Sequence, residues 1–152
     1  MAQAIEIDQP GDEVDWSGIK LVSTPVGKRP DLSFNEVSYA SLGELRVAQL
    51  LTKQRIPFVP DVRTSWQPLG GDREFVYVPD FIFVGKAYFW IGDGSLEPIH
   101  GLELKQRCSD GQYPKIGLKK ITDLLRYRGI RIRLVDEMAA RKMAYLPLYS
   151  IQ

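Results

Sequence analysis

The stretches Glu74-Phe-Val-Tyr-Val-Pro-Asp-Phe-Ile-Phe-Val84 and Ile99-His-Gly-Leu-Glu-Leu-Lys-Gln106 decide how this chain is expected to fold. Both are rich in β-branched and aromatic residues, which is typical of strands. Because side chains i and i+2 of a strand share a face, Glu103 and Lys105 are expected to point one way and Leu104 the other. The two stretches therefore predict strands, the second carrying an acid and a lysine on one face.

These stretches also collect the groups of a divalent-cation site. If the two strands are neighbours in one sheet, Asp80 can join Glu103 and Lys105. Two carboxylates and a backbone carbonyl, that of Leu104, are the hard oxygen ligands that Mg²⁺ prefers. An ammonium beside them can stabilise an attacking hydroxide or the charge on a phosphate. The alternatives are a turn aspartate after Pro79, which cannot donate to a sheet ladder, and a solvated surface ion pair.

The periodicity and the turn residues predict an α/β fold with a mixed sheet. The predicted elements are a helix over 36–54, a strand over about Phe58–Trp66, a strand over Glu74–Val84, a tight turn at Gly85-Lys86 with a hairpin partner over Ala87–Ile91, a strand over Ile99–Arg107, a helix from Tyr113 to Arg128 capped by Gly129, a strand over Ile130–Val135 and a short helix over Asp136–Met143. Residues 1–35 are rich in Asp, Pro, Gly and Ser and are predicted to form an extended or partly disordered arm, with a weak strand candidate at Ile19–Val22. Residues 36–152 are predicted to form the core.

The ordered motifs resemble those of the PD-(D/E)xK nucleases, the restriction-endonuclease-like superfamily. The resemblance covers roughly residues 36 to 136: a helix with an acidic residue over Ser41–Leu51, the Pro79-Asp80-Phe81 motif, the Glu103-Leu-Lys105 motif, then the helix over Lys119–Gly129 and the strand after it. It looks closest to transposon-end nucleases, Holliday-junction resolvases and small homing endonucleases. The resemblance implies a restriction-endonuclease-like mixed β-sheet flanked by helices. It also implies a Mg²⁺-dependent DNA endonuclease whose products carry a 5′-phosphate and a 3′-hydroxyl.

The resemblance assigns a role to each site residue. Asp80, Glu103 and the Leu104 carbonyl would hold Mg²⁺, with Mn²⁺ as a substitute, and Lys105 would position or activate the attacking water. Glu44 would be the helix glutamate that approaches the metal through water.

Two other readings bear on that glutamate. Ser41-Leu-Gly-Glu44 also has the pattern of a capping box, and both roles can hold at once. Glu36 is a competing candidate for the helix glutamate.

The charge distribution favours a nucleic-acid partner. The formal net charge is only +1, but residues 101–152 carry eleven Lys and Arg against five Asp and Glu. A local basic patch is what phosphate binding needs. Lys119, Lys120 and Arg107 are the candidate DNA contacts, and the alternative for the lysines is a solvated helix face.

Other features exclude several classes of function. The single cysteine rules out an internal disulfide, and the single histidine argues against a metal site built from histidines. No Gly-rich phosphate loop supports ATP dependence. No apolar run approaches the ~20 residues that cross a bilayer, and the N-terminus lacks the features of a signal peptide, so we expect a cytoplasmic protein without a membrane partner.

The expected partners are DNA and further protein subunits. One active site cuts one strand, so a double-strand cut requires a homodimer or a larger nucleoprotein assembly. Two rival hypotheses stay open. One is a catalytically silent nuclease-fold subunit that binds DNA or a protein partner in recombination or excision control. The other is an unrelated α/β binding module in which the Glu103-Leu-Lys105 pattern is accidental.

Overall fold

The computed structural model describes residues 5–6, 19–23, 29–67 and 73–150. The expectations for the remaining residues, which include most of the N-terminal arm, lie outside this part of the chain. The elements in chain order are β1 (Ile5–Glu6), β2 (Lys20–Ser23), β3 (Arg29–Phe34), β4 (Val37–Tyr39), α1 (Leu42–Lys53), β5 (Phe58–Pro60), β6 (Val62–Trp66), β7 (Phe75–Tyr77), β8 (Phe81–Trp90), β9 (Leu96–Lys105), α2 (Lys115–Arg128), β10 (Ile132–Asp136), α3 (Glu137–Ala140) and β11 (Leu148–Ser150).

The main sheet has the order β10-β9-β8-β11, with β5 also paired to β8. Strands β8 and β9 form an antiparallel hairpin in which Phe81 lies opposite Leu102. Strand β10 runs parallel to β9, and α2 makes the crossover between them. The other pairings in this sheet are antiparallel. The mixed α/β architecture is therefore confirmed.

A second, antiparallel sheet has the order β1-β2-β6-β7. Strand β2 confirms the weak strand candidate at Ile19–Val22, shifted by one residue. Strands β3 and β4 form a separate hairpin in which Phe34 pairs with Val37. The two turn residues, Asn35 and Glu36, both have positive φ, as in a tight two-residue hairpin turn. The expected boundary between arm and core falls in this turn and stays a prediction.

Two hydrophobic clusters hold the layers together. The first joins α1, α3 and β4 to the main sheet, with Leu51, Phe81, Phe83 and Leu104 among its buried members. The second joins α2 and the second sheet to the main sheet, through residues that include Ile82. Consecutive residues of β8 thus serve different clusters, as strand geometry requires. The main sheet is covered on both faces.

Gly101 allows β8 and β9 to approach closely at the predicted site. A Cβ at this position would lie 2.3 Å from the backbone oxygen of Phe81 and 2.9 Å from the Ile132 side chain. Because a real Cβ cannot come so near a backbone oxygen, a larger residue would push the two strands apart. Gly101 therefore keeps the Asp80 end of β8 against β9.

The predicted helix caps are present at both long helices. Ser41 is the N-cap of α1, and its hydroxyl accepts a hydrogen bond from the Glu44 amide over 3.1 Å. Gly129 ends α2 in the left-handed conformation, with φ of 69°. The cap prediction at Gly129 is confirmed, because glycine takes this conformation without a Cβ clash.

The predicted strand over Glu74–Val84 is wrong as one element. The chain leaves the second sheet after β7 and enters the main sheet at Phe81, with Pro79 between the two strands. The predicted turn at Gly85-Lys86 is also wrong, because β8 continues through it. Its register against β9 shifts between Ile82 and Ala87, so the strand absorbs these residues as an irregularity.

Several other boundaries differ from the sequence predictions. The first helix begins at Leu42 rather than at residue 36, because the β3–β4 hairpin occupies the preceding residues. The predicted strand over Phe58–Trp66 divides into β5 and β6 at Asp61, whose φ is 52°. The second helix, the following strand and the short helix are present but begin one or two residues later than predicted. In the described part of the chain, no helix has the length and apolarity to span a membrane.

Candidate active site

Asp80 lies where the chain passes from one sheet to the other. Strand β7 ends at Tyr77, and β8 begins at Phe81. The intervening Pro79 has no amide hydrogen for a ladder, so the pairing stops there. The predicted irregularity at Pro79 is present, and it turns Asp80 toward the neighbouring strand β9.

Two hydrogen bonds fasten Asp80 to β9. The Leu104 amide donates to Asp80 Oδ2 over 2.7 Å, and the Asp80 amide donates to Glu103 Oε2 over 3.2 Å. The β8–β9 register continues from Phe81 opposite Leu102 to this contact. The two predicted motifs, far apart in sequence, therefore meet at the end of the β8–β9 hairpin.

Strand alternation separates the three residues of the Glu103-Leu-Lys105 motif. Glu103 is buried, and its Oε1 lies 3.5 Å from Lys105 Nζ. Lys105 is one-third exposed, so its ammonium reaches from solvent to the buried carboxylate. Leu104 points the other way, into the first hydrophobic cluster. The motif therefore presents an ion pair on one face and a core residue on the other.

The Glu44 carboxyl group lies between the start of α1 and Asp80. Its Oε2 accepts a hydrogen bond from the Ala40 amide over 2.9 Å, next to the Ser41 cap. Glu44 also lies close enough to Asp80 to help raise the pKa of that carboxyl group. The competing candidate, Glu36, lies in the exposed β3–β4 turn. Helix α1 thus brings Glu44, rather than Glu36, to the site.

The site gathers more negative charge than its lysine offsets. Burial raises the pKa of Asp80 to about 9, and the charges of Glu103 and Glu44 act in the same direction. Burial also raises the pKa of Glu103, although the Tyr77 hydroxyl and Lys105 both favour its charged form. Two carboxyl groups that cannot both ionise freely in a buried site form a place where a cation is stabilised.

The donor chemistry fits a hard divalent cation. Among the described residues, no group of three or more His, Cys, Asp and Glu side chains is arranged to hold a metal ion. The carboxyl oxygens of Asp80 and Glu103 meet here, with Glu44 beside Asp80, and the backbone of Leu104 contacts Asp80 through its amide. Carboxylate and carbonyl oxygens with excess negative charge suit Mg²⁺ or Mn²⁺ better than soft metals.

The predicted DNA contacts divide into two groups. Lys119 and Lys120 are exposed on α2 and line a groove of about 700 Å³. Arg73, just before β7, and Lys115, the first residue of α2, line the same groove. Arg107 lies elsewhere, with Nε 3.9 Å from Asp136 Oδ1 and its guanidinium over the Tyr113 ring. The lysines therefore share a basic groove, whereas Arg107 is engaged with its own neighbours.

Tyr77 is a site residue that the sequence patterns did not single out. Its hydroxyl donates to Glu103 Oε2 over 2.8 Å in a buried environment. Burial, and then the Glu103 charge, raise the pKa of this hydroxyl far above its ordinary value, so it stays a donor. Strand alternation counted back from Asp80 could not place Tyr77, because the strand is broken at Pro79.

Asp61 is a second residue that lies nearer to the site than the sequence indicated. Its amide donates to the Asp80 backbone oxygen over 3.1 Å. Burial, and then the charges of Asp61 and Glu44, raise the pKa of Tyr39 to about 12. Asp61 therefore adds a further carboxylate at this end of the sheet. Only its positive φ, at the break between β5 and β6, marks it out.

The N-terminus of α1 is fastened by a buried carboxylate from α3. The Ser41 hydroxyl donates to Glu137 Oε1, and the Gly43 amide donates to Glu137 Oε2 over 3.2 Å. Arg141 Nε donates to the same Oε2 over 2.6 Å. A Cβ on Gly43 would meet this carboxylate, so a larger residue would displace the Glu137 side chain from the helix end. This clamp fixes the helix turn that carries Glu44.

Comparisons with known proteins give no match: no family model, no curated protein and no solved structure is similar to this chain. What the site can do must be argued from its own geometry and charge.

Proposed function

We propose that this protein is a Mg²⁺-dependent DNA endonuclease with a restriction-endonuclease-like fold. The observation that carries the proposal is the meeting of Asp80 with the Glu103-Leu-Lys105 motif, through the hydrogen bonds to Glu103 and Leu104 and the nearby Lys105 ammonium. The order of elements adds support. An acidic helix, an antiparallel hairpin bearing the motifs, and a crossover helix to a parallel strand follow one another as the resemblance implies.

The side chains would divide the work of phosphodiester hydrolysis. Asp80, Glu103 and the Leu104 carbonyl would hold Mg²⁺ or Mn²⁺, and Glu44 would orient water beside Asp80. When bound, such a cation lowers the pKa of a coordinated water and offsets charge on the scissile phosphate. Lys105 Nζ would donate to that water or to a phosphate oxygen, which stabilises the charge that develops in the transition state.

The groove on α2 supports a polyanionic substrate. Four cationic side chains line it, against the two carboxylates of Glu74 and Asp123. Glu74 lies 4.0 Å from Arg63, which offsets part of its charge. In the described part of the chain, no ion pair engages Lys119 or Lys120. We therefore propose that these lysines contact the DNA backbone. Arg107 would at most add a contact to DNA from the loop that follows Lys105.

The remaining expectations follow from the same chemistry. One site cleaves one strand, so we propose that a homodimer or a larger nucleoprotein assembly makes double-strand cuts. We also propose that the protein works in the cytoplasm on DNA. Its role would belong to DNA recombination.

The test is cleavage of supercoiled plasmid and of a synthetic four-way junction in Mg²⁺, Mn²⁺ or EDTA. We expect metal-dependent cutting that is lost in Lys105→Ala. Lys53→Ala is the matched control, because Lys53 lies in the last turn of α1, at the opposite end of that helix from Glu44. Cutting that survives in Lys105→Ala would contradict the site assignment.

A second outcome would favour the silent nuclease-fold subunit. Here the wild-type protein would bind both DNA substrates in EDTA, with affinity that falls in Lys119→Ala/Lys120→Ala, yet would cut neither with any metal. Each lysine that contacts a phosphate should contribute about one unit to the salt dependence of binding. Absence of both binding and cutting would count against both hypotheses.

A further inference from the structure

The two oxygens of the Glu103 carboxylate have different surroundings. Oε2 accepts hydrogen bonds from the Tyr77 hydroxyl over 2.8 Å and from the Asp80 amide over 3.2 Å. Oε1 has Lys105 Nζ at 3.5 Å. The carboxylate is therefore held from one side by two donors, and its other oxygen faces the ammonium.

Tyr77 is fixed more firmly than a surface donor could be. It is buried, and its ring packs in the second hydrophobic cluster with Val62, Trp66 and Ile82. Its backbone oxygen accepts a hydrogen bond from Thr64 Oγ1 over 2.8 Å. Packing and this backbone hydrogen bond hold the ring in place, so the hydroxyl donates to Glu103 from a fixed direction.

The Tyr77–Glu103 bond also connects the two sheets. Tyr77 belongs to β7 of the second sheet, whereas Glu103 belongs to β9 of the main sheet. A carboxylate on β9 alone could turn about its terminal torsion, which is broad and weakly restrained. The hydroxyl from the second sheet removes that freedom.

We propose that Tyr77 is a positioning residue that holds Glu103 by Oε2, so that Oε1 is the oxygen presented to Lys105 and to a bound divalent cation. This inference rests on the proposed function, since it concerns how that site is organised. Carboxylates that ligate metals are themselves held by hydrogen bonds, and loss of such a partner typically costs about 10- to 100-fold in metal affinity or activity. Without the Tyr77 hydroxyl, only the Asp80 amide and Lys105 would hold the Glu103 carboxylate, and either of its oxygens could face either partner.

The test is the affinity for Mn²⁺ of Tyr77→Phe, measured by calorimetry and by the loss of the free-ion electron paramagnetic resonance signal. Phenylalanine keeps the packed ring and removes only the hydroxyl, and circular dichroism checks that the fold is retained. We expect Mn²⁺ binding about 10-fold weaker than wild type. Tyr88→Phe is the matched control, because Tyr88 lies on β8 opposite Pro98, at the other end of the β8–β9 hairpin from Asp80.

A double-mutant cycle separates positioning from general loosening of the structure. If Tyr77 acts through Glu103, Tyr77→Phe should change Mn²⁺ affinity by less than about 2-fold when Glu103 is already Gln. The variant should also lower kcat more than it raises KM for DNA.

Three results would overturn the inference. Wild-type Mn²⁺ affinity in Tyr77→Phe would show that the hydroxyl does not position the ligand. Additive effects of Tyr77→Phe and Glu103→Gln would show that Tyr77 acts independently of Glu103. Failure of the wild-type protein to bind Mn²⁺ would overturn the proposed function and this inference together, whereas the first two results would leave the proposed function standing.

Discussion

Two buried carboxylates, Glu103 and Glu137, show how differently the same chemical group is used in this molecule. They are the charged residues that are buried in the described part of the chain, with 6% and 8% of their surface exposed. Glu137 has a hydroxyl, an amide and a guanidinium directed at it, and no second carboxylate is bonded to it. Glu103 likewise has a hydroxyl, an amide and an ammonium beside it, but it shares its site with a second carboxyl group, that of Asp80.

The difference teaches where burial serves structure and where it serves chemistry. Around Glu137 the donors offset the cost of removing a charge from water, so the carboxylate acts as a clamp between α3 and α1. Around Glu103 and Asp80 the negative charge is left in excess, and burial raises both pKa values. A fold that needed only a polar link would not place two carboxyl groups together in this way. Perturbed acids gathered at one place are typical of functional sites.

The largest expected effect comes from Asp80→Asn. Asparagine keeps an oxygen for the Leu104 amide but removes a carboxyl group that can ionise and hold a cation. We expect DNA cleavage to fall by at least about 10³-fold, a change of roughly 4 kcal/mol in transition-state stabilisation. We also expect the free energy of unfolding in EDTA to rise by about 1 kcal/mol, because functional sites are commonly built at the expense of stability. Urea denaturation and plasmid cleavage measure the two effects.

Asp80→Ala is the matched control for that prediction. It removes the same charge but leaves the Leu104 amide without its acceptor, so it should not share the gain in stability. A loss of stability in Asp80→Asn as large as that in Asp80→Ala would remove the contrast drawn between Glu103 and Glu137.

The next largest effect is expected at Glu137. Glu137→Ala leaves the Ser41 hydroxyl, the Gly43 amide and the Arg141 guanidinium without their shared acceptor. Leaving a buried donor without its acceptor costs about 1–3 kcal/mol, and we expect the free energy of unfolding to fall by about 2–3 kcal/mol. Equilibrium denaturation in urea checks it.

The matched control for Glu137 is Glu97→Ala. Glu97 Oε1 lies 3.5 Å from Arg131 Nη1 and 3.8 Å from Arg133 Nη1, and its side chain is 21% exposed against 10% for Glu137. A surface pair of this kind is worth about 1 kcal/mol or less. Similar losses at Glu97 and Glu137 would contradict the description of Glu137 as a clamp.

The last prediction, the smallest for each step of the experiment, is a pH dependence of stability that arises from Asp80. The pKa of Asp80 is about 9 in the folded chain and near its ordinary value of 3.8 in the unfolded chain. Between these values the folded state binds the extra proton. Stability from this group is therefore complete below pH 3.8 and decreases as the pH rises toward 9, by at most about 1.4 kcal/mol for each pH unit.

Thermal denaturation in EDTA from pH 5 to 9 measures that slope. Asp80→Asn should make it shallower, and added Mn²⁺ should stabilise the wild-type protein most at the alkaline end, where Asp80 is easiest to ionise. A slope that is unchanged in Asp80→Asn would assign the pH dependence to another group.

Local patterns in the sequence determined much of the main sheet and its helices. The caps at Ser41 and Gly129 follow from side-chain and backbone preferences of a few neighbouring residues, and the structure has both. The opposite directions of Glu103 and Leu104 follow from the strand repeat alone. That Asp80 would meet Glu103 required only that β8 and β9 pair, and they do.

Only the tertiary structure decided what surrounds those residues. The strand break at Pro79 sends Tyr77 into a different sheet from Asp80, and from there its hydroxyl reaches Glu103. Glu137 meets Gly43 across 94 positions of sequence. Contacts of this kind depend on how layers pack, and no short-range pattern encodes them. The sequence by itself thus determined which chemical groups are present and which face of a strand they occupy. Packing decided that Glu137 is surrounded by donors alone, whereas Glu103 has a second carboxyl group, that of Asp80, beside it.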